Sequence, residues 1–316
     1  MNSVSVVVPC FNSGLLIEDC IISIKNQEQS GFNVLEILVI DDGSTDSVTL
    51  AALQKLTNDP SVTVLKNSGI KGSAGARNTG IKSSTCEWIA FLDADDWWPS
   101  NSLSLRYSAL ESSPEAVWIG GDFCDVYDDE DKLTSLGRFS QRLSRYKFLE
   151  PAYSPMPHPL LLAEPLQQFL TAAPTCTCVT MVRRETLLAL GGFAEHLLRA
   201  QDVHLWVRLA ATHPFLYVPN VLAYYRHHAT NSTKSASHTL AWRAVALGDL
   251  AQLSSLKHVR RQLEAQLSLT YLALSYEYRK EGRFGEALRA ASAGLKTRPY
   301  SYSNLKSVIA SFLRRG

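Results

Sequence analysis

No stretch of this chain approaches the roughly 20 consecutive apolar residues that a membrane-spanning helix needs. Nor is there a surplus of charge of either sign. Lys and Arg number 31 against 30 Asp and Glu, a net charge of +1, so nothing draws the whole chain to nucleic acid or anionic lipid. Cysteine is sparse. Cys10, Cys20, Cys86 and Cys124 stand alone in apolar surroundings, as buried free thiols do, and Cys176 and Cys178 form a C-x-C pair without the second pair a zinc site requires. The chain opens with no basic stretch followed by a signal-type core; "VSVVVPCF" is too short and reads as a strand. The NST at Asn231 is therefore read as accidental, and cytoplasmic residence is the expectation. With 46% hydrophobic residues, 316 residues suffice for a sizeable core and for one large domain with an appendage.

The first 120 residues alternate short apolar runs with helical patterns. "VSVVVP" is nearly all β-branched, the composition of a strand covered on both faces. "LEILVID", "SVTVLK" and "EWIAFLD" are three further strands, separated by helical spacing and by cap residues such as those of "GSTDSV". That rhythm predicts an α/β fold, a mostly parallel sheet with helices on both faces. Its ligand crevice lies outside the carboxyl ends of the strands. Residues 120–174 read as less regular, with "DDED" a solvated turn. "VTMVRRETLLALGGF" is a strand and a short helix stopped by Gly191 and Gly192. From about His238 the chain is helical.

The fourth strand ends in "LDADDWW". Asp93 and Asp95 are two apart, so both carboxylates can turn to one side, as hard divalent cations require. Charges clustered where a sheet opens its crevice are costly unless a ligand uses them. The first strand ends in "PCFN" and the second in Asp41 and Asp42, which can accept bonds from a base or ribose. "SGIKGSAGARNTG" offers small residues for close approach and one guanidinium, Arg77, suited to a phosphate or carboxylate. This loop matches neither G-x-G-x-x-G nor the P-loop.

Taken in order, "VSVVVPCFNSGLLIEDCIISIKNQ", "LEILVIDDGSTD", "GSAGARNTGI", "WIAFLDADDWW" and "RAQDVHLWVRLA" resemble glycosyltransferase family 2 with the GT-A fold, over residues 3–230. The resemblance implies a nucleotide-diphosphosugar donor, Mn²⁺ or Mg²⁺, and sugar transfer to an acceptor hydroxyl with inversion. By position, it puts Pro9 and Phe11 against the base, with Asp42 and Asp41 pairing to it. Asp93 touches the ribose or assists the metal, Ala94 lies in the donor site, and Asp95 is the main metal ligand. Asp96 is a third acid facing the donor sugar. Asp202 is the catalytic base, preceded here by Gln201 where the family has Glu. "YYRHHATNS" resembles the stretch that closes over the diphosphate, with His228 in its histidine slot.

The implied organisation is a transferase domain over 1–235, its nucleotide half about 1–120 and its acceptor half about 121–235, followed by a helical extension over 236–316. Within the extension Leu274, Tyr278, Ala287 and Pro299 resemble one tetratricopeptide unit. "SNLKSVIASFLRRG" has an apolar stripe and a basic end: a capping helix, or a docking element for a membrane or protein. The acceptor is expected to be a glycan or lipid-linked glycan in polysaccharide or glycoconjugate synthesis, with a peripheral place at the inner membrane face as a second expectation for location. Two rival readings are a sugar nucleotidyltransferase and a non-catalytic transferase-like scaffold. "PCFNSG" lacks the long basic glycine-rich loop of the first, and intact Asp93, Asp95 and Asp202 oppose the second.

Overall fold

In the computed structural model the described residues are 3–32, 34–129, 132–140, 158–227, 235–299 and 301–313. Val4, Val6, Val7 and Val8 are fully buried in β1 (Ser3–Cys10), where branched side chains suit a pleat covered on both faces. β1 pairs in parallel with β2 (Val34–Asp41) and β4 (Trp88–Phe91), and β2 with β3 (Val62–Lys66). The intervening helices are α1 (Leu16–Lys25), α2 (Ser47–Thr57) and α3 (Ser73–Ser83). Asp46 caps α2, its Oδ1 accepting from the Thr49 N–H at 2.8 Å.

Alternation along β1 separates two faces. Val4, Val6, Val8 and Cys10 join Ile17, Ile21 and Ile24 of α1 in one core, with Leu103 and Tyr107 of α4 (Ser102–Glu111). Val7 faces the other way, against α3. A Cβ at Gly80 would stand 2.3 Å from its Cγ1, so only glycine lets that helix lie so close. Helices thus cover both faces, as the alternating rhythm implied.

Beyond β4 the sheet is mixed. β8 (Met181–Arg183) runs antiparallel between β4 and β5 (Trp118–Asp129). β5 lies parallel to β9 (Phe215–His227), which takes β7 (Leu160–Leu162) on its far side. β6 (Lys132–Arg138) forms an antiparallel ladder with β5, and the full order is β3-β2-β1-β4-β8-β5-β9-β7. Residues 120–129 and 132–138 are therefore strands rather than the irregular stretch expected. The sequence "GGDFCDVYDD" hides them because Asp122 and Asp125 point into the core. Asp122 is held there by Ser140, whose N–H and Oγ donate to it at 2.9 and 2.6 Å. α5 (Leu166–Thr171) precedes β8, and α6 (Arg184–Ala189) follows it, ended by Gly191 and Gly192 at φ +75° and +69°.

The remaining helices are α7 (Gln201–Ala210), α8 (Ala236–Gln252), α9 (Arg260–Lys280), α10 (Phe284–Thr297) and α11 (Tyr302–Leu313). The chain divides into two compact units, residues 1–198 with 212–229 and residues 199–211 with 230–316. α7 thus groups with the C-terminal helices, tied to α8 by His204 Nε2 and Asp249 at 2.9 Å. Among the described residues no helix is long and apolar enough to cross a membrane.

Candidate functional site

Because β1, β2 and β4 are parallel neighbours, their carboxyl ends open on one edge of the sheet. β4 ends at Phe91, and the Asp96 N–H, donating to the Asp93 carbonyl at 3.0 Å, closes a turn over Asp93–Asp96. Asp93, Asp95 and Trp97 are half-buried, while Leu92, Ala94, Asp96 and Trp98 are buried. Within this turn Asp93 and Asp95 keep exposed surface while Ala94 and Asp96 do not. Trp98 belongs to the core: its Nε1 donates to the Cys178 carbonyl at 2.7 Å, and the Arg106 guanidinium lies 4.5 Å above its ring.

Arg77 is 4% exposed on α3 and donates from Nη2 to Asp93 Oδ1 at 2.5 Å. Its Nε and Nη1 are buried without a hydrogen-bond partner. Asp42 follows β2, and both its oxygens hold the next loop: Oδ1 accepts from Asn67 Nδ2 at 2.6 Å and Oδ2 from the Gly72 N–H at 2.8 Å. Asp41 Oδ1 accepts from the Ser44 N–H at 2.9 Å, the Asx turn that "DDGS" favours. Phe11 is 48% exposed just past β1 and carries Lys71 Nζ 4.6 Å above its ring. Pro9 lies within β1, one residue before Cys10, whose carbonyl accepts from the Asp42 N–H at 2.9 Å. The residues expected at the base and donor thus converge on one edge.

Arg226, near the end of β9, clips the acidic turn from behind. Its N–H donates to Asp96 Oδ1 and its Nε to the Asp95 carbonyl, each at 2.9 Å. Its remaining nitrogens bind Asp128 and, at 3.2 Å, Asp19, and its guanidinium covers the Trp97 ring at 4.7 Å. Trp97 stacks on Tyr224 at 5.2 Å. Asp128, expected in a solvated turn, is instead one jaw of this clip. Asp96 is 1% exposed and faces inward. Burial first, then the charges of Asp95 and Asp93, push its carboxyl well above the usual range; the Arg226 N–H and the Cys178 thiol oppose the rise. The same three aspartates, after burial, raise the Tyr225 hydroxyl.

Asp202 stands in the first turn of α7, in the second unit, its Oδ1 accepting from the Val203 N–H at 2.8 Å. The residue capping that helix, Ala200, has φ +58°, a left-handed conformation that L-residues adopt only under constraint. Asp202 also acts on Arg243 of α8, where its charge opposes the drop that burial imposes. His228 lies outside the described residues. Among the described residues no group of three or more His, Cys, Asp and Glu forms a metal cluster. The oxygens of Asp93 and Asp95 still suit a hard cation whose other ligands come from phosphates, and the crowding that raises Asp96 is the charge such a cation would offset.

Several contributors carry no local signal. Glu195 braces the same loop as Asp42, with Oε2 accepting from the Ile70 N–H at 2.7 Å and Oε1 from Asn78 Nδ2 at 2.8 Å. Arg226 draws on partners up to 207 positions away. Asn12, at φ +50°, ties the first two strand ends, its Oδ1 accepting from the Thr45 N–H at 2.8 Å; a lone "FNSG" turn was the visible trace.

Comparison with known proteins places this geometry. Residues 5–187 match the family described as Glycosyl transferase family 2. The chain is 36% identical over 208 residues to the Escherichia coli UDP-Glc:alpha-D-GlcNAc-diphosphoundecaprenol beta-1,3-glucosyltransferase WfgD, covering 65% of this chain and 69% of that one. It is 32% identical over 128 residues to the glycosyltransferase GlyG of Streptococcus pneumoniae, which spans 41% of that protein. The uncharacterized glycosyltransferase YibD of Escherichia coli is matched over 35% of its length. Among solved structures, S. aureus TarS 1-349 in complex with UDP-GlcNAc superposes with a TM-score of 0.67 at 15% identity, over 99% of this chain and 89% of that one. The mannosyltransferase PcManGT from Pyrobaculum calidifontis, in complex with GDP-Man and Mn2+, gives 0.57 at 20% identity, over 98% and 86%. At such identities the structures establish the fold.

Proposed function

The chain belongs to glycosyl transferase family 2 and transfers sugar from a nucleotide-sugar donor in glycoconjugate synthesis; we propose that the donor is a UDP-hexose, that the acceptor is a lipid-linked diphosphate glycan, and that transfer inverts the anomeric carbon with Mn²⁺ or Mg²⁺ bound. The donor and acceptor classes follow those named for WfgD. One observation carries the reading. Asp93 and Asp95 keep exposed surface in the turn after β4, with Arg77 bonded to Asp93 and with Phe11, Asp41 and Asp42 at the ends of the neighbouring parallel strands.

Each group has a task on this reading. Phe11 offers a ring face to the base. Asp41 and Asp42 address its polar edge, and each Asp42 oxygen keeps a lone pair beyond the bond it already accepts. Arg77 fixes the direction of Asp93. A divalent cation held by Asp95 with Asp93 would offset the charge that the diphosphate gains as the sugar bond breaks. Asp96, buried and facing inward, belongs to the frame with the Arg226 N–H and leaves the donor to its neighbours. Asp202 takes the proton of the attacking acceptor hydroxyl, a role worth roughly 10²–10⁴-fold in rate. His228 is retained as a diphosphate or metal contact on sequence grounds. The α9–α10 pair is read as one tetratricopeptide-like unit.

The test is thermal stabilisation by UDP, GDP and dTDP, each with and without Mn²⁺. UDP with Mn²⁺ is expected to stabilise the protein by about 2.7 kcal/mol at a hundredfold excess over Kd. Asp95→Asn should lose the metal-dependent part. No metal-dependent shift with any of the three nucleotides would sink the enzymatic reading in favour of a scaffold.

A further inference from the structure

The last helix is built inside out. On α11 the buried positions are Asn304, Ser307 and Ser311, while Tyr302, Leu305, Ile309, Phe312 and Leu313 are between 46% and 72% exposed. At 100° per residue those five fall on one continuous stripe, opposite the three polar residues. The inward face is fully used. Asn304 Nδ2 donates to the Gly294 carbonyl at 2.9 Å and to Ser268 Oγ at 2.7 Å. Arg279 Nη1 donates to Ser307 Oγ at 2.8 Å and to Ser311 Oγ at 3.0 Å. These bonds fix the rotation of the helix, so the apolar stripe cannot turn inward without breaking them.

Charge along the last stretch of sequence is one-sided, although the helices that α11 packs on also carry Glu264, Glu277 and Glu286. Residues 287–316 hold Arg289, Lys296, Arg298, Lys306, Arg314 and Arg315 and no acidic residue, which leaves 25 Lys and Arg against 30 Asp and Glu in the rest of the chain. Lys306 lies at the stripe itself, its Nζ 4.6 Å above the Tyr302 ring. Arg314 and Arg315 follow in sequence, outside the described residues.

We propose that the outward stripe of α11, in a segment that carries basic residues and no acidic one, is a docking face for an anionic lipid surface. An exposed apolar stripe needs a cover, and the charge pattern selects which. Two copies pressed stripe to stripe would bring together segments that carry only positive charge. Anionic headgroups supply the missing sign, and long basic side chains reach them while the stripe enters the acyl boundary. One short helix gives a reversible contact. The face belongs to the second unit alone, and the inference stands whether or not the donor and acceptor are those proposed above.

The test is co-flotation of the full chain with vesicles of roughly 30 mol% phosphatidylglycerol in phosphatidylcholine, against phosphatidylcholine alone. Binding is expected only to the anionic vesicles and is released by salt. Ile309→Ser/Phe312→Ser should bind at least about tenfold more weakly, with its thermal midpoint and its nucleotide-dependent stabilisation unchanged. Three results overturn the proposal: equal binding to neutral vesicles, undiminished binding by the double variant, or no vesicle binding with a dimer in sedimentation velocity that the double variant dissolves. Nucleotide stabilisation is read separately, so failure here is distinguishable from failure of the transferase reading.

Discussion

The open edge of the sheet and the last helix dispose of polar side chains in opposite ways. At the edge, valine, leucine and isoleucine are buried and charge is gathered where the strands stop, around Asp42, Asp93 and Asp95. In α11 a serine and asparagine seam is buried, and the hydrophobic residues face outward. The seam of α11 is hydrogen-bonded throughout, whereas at the edge Arg77 Nε and Nη1 are buried without partners. The contrast teaches that a polar residue in a core is informative only when its partners are known. At the edge, polar groups gather where the strands stop; in α11 they enter the core and leave apolar surface outside.

The strongest way to sharpen the contrast is to separate binding from chemistry. Asp202→Asn is expected to lower transfer by about 10²–10⁴-fold while leaving UDP-dependent stabilisation intact, as read by initial rates and thermal shift on one preparation. Full turnover in that variant would reassign the base. Next in size is the clip. Arg226→Met removes the guanidinium bonds to Asp128 and to the Asp95 carbonyl while its backbone N–H keeps Asp96, and should cost about 1–3 kcal/mol in urea unfolding. An unchanged midpoint would mean the acidic turn is held by other contacts.

Arg106 breaks the pattern within the first unit itself. It is fully buried on α4 with none of its three guanidinium nitrogens hydrogen-bonded, and burial pushes it down to about 9. The unfolded chain holds that proton more tightly, so the destabilisation is complete below about pH 9 and shrinks as pH climbs towards the ordinary value of 12.5. Arg106→Met is therefore expected to stabilise the protein by about 1–3 kcal/mol at pH 7. A loss instead would show that stacking on Trp98 outweighs the unmet hydrogen bonds. Asn304→Leu tests the second unit in the other direction. It removes two buried hydrogen bonds, to the Gly294 carbonyl and to Ser268 Oγ, which keep only the Arg298 N–H and each other, and should cost about 1–2 kcal/mol.

What the sequence discloses follows the same division. β1, β2 and β4 are legible because a parallel strand covered on both faces is a run of β-branched and aliphatic residues, and a D-x-D behind such a run stands out. What sorts Asp93 from Asp96 is less legible, because it rests on a turn closed between those two residues and on the distant Arg226 N–H. β5 and β6 are not legible, because "GGDFCDVYDD" buries aspartates whose partners, such as Ser140 and His227, come from elsewhere. Glu195 and Arg226 escape for a related reason. Their roles depend on residues over a hundred positions away, and no local pattern encodes a distant partner.

The smallest effect predicted is the most exacting test of the comparison. An amphipathic pattern gives the angle of the apolar stripe on a helix but not which side the protein covers. Were α11 seated in the usual sense, Ile309 would lie in the core, and truncating it would cost about 2–5 kcal/mol. As found, its side chain is 49% exposed, and Ile309→Ser should change stability by no more than about 0.5 kcal/mol. Urea unfolding of that single variant decides between the two seatings. A loss near 2 kcal/mol would turn the helix over, bury the stripe, and remove the opposition between the two regions along with the lipid face.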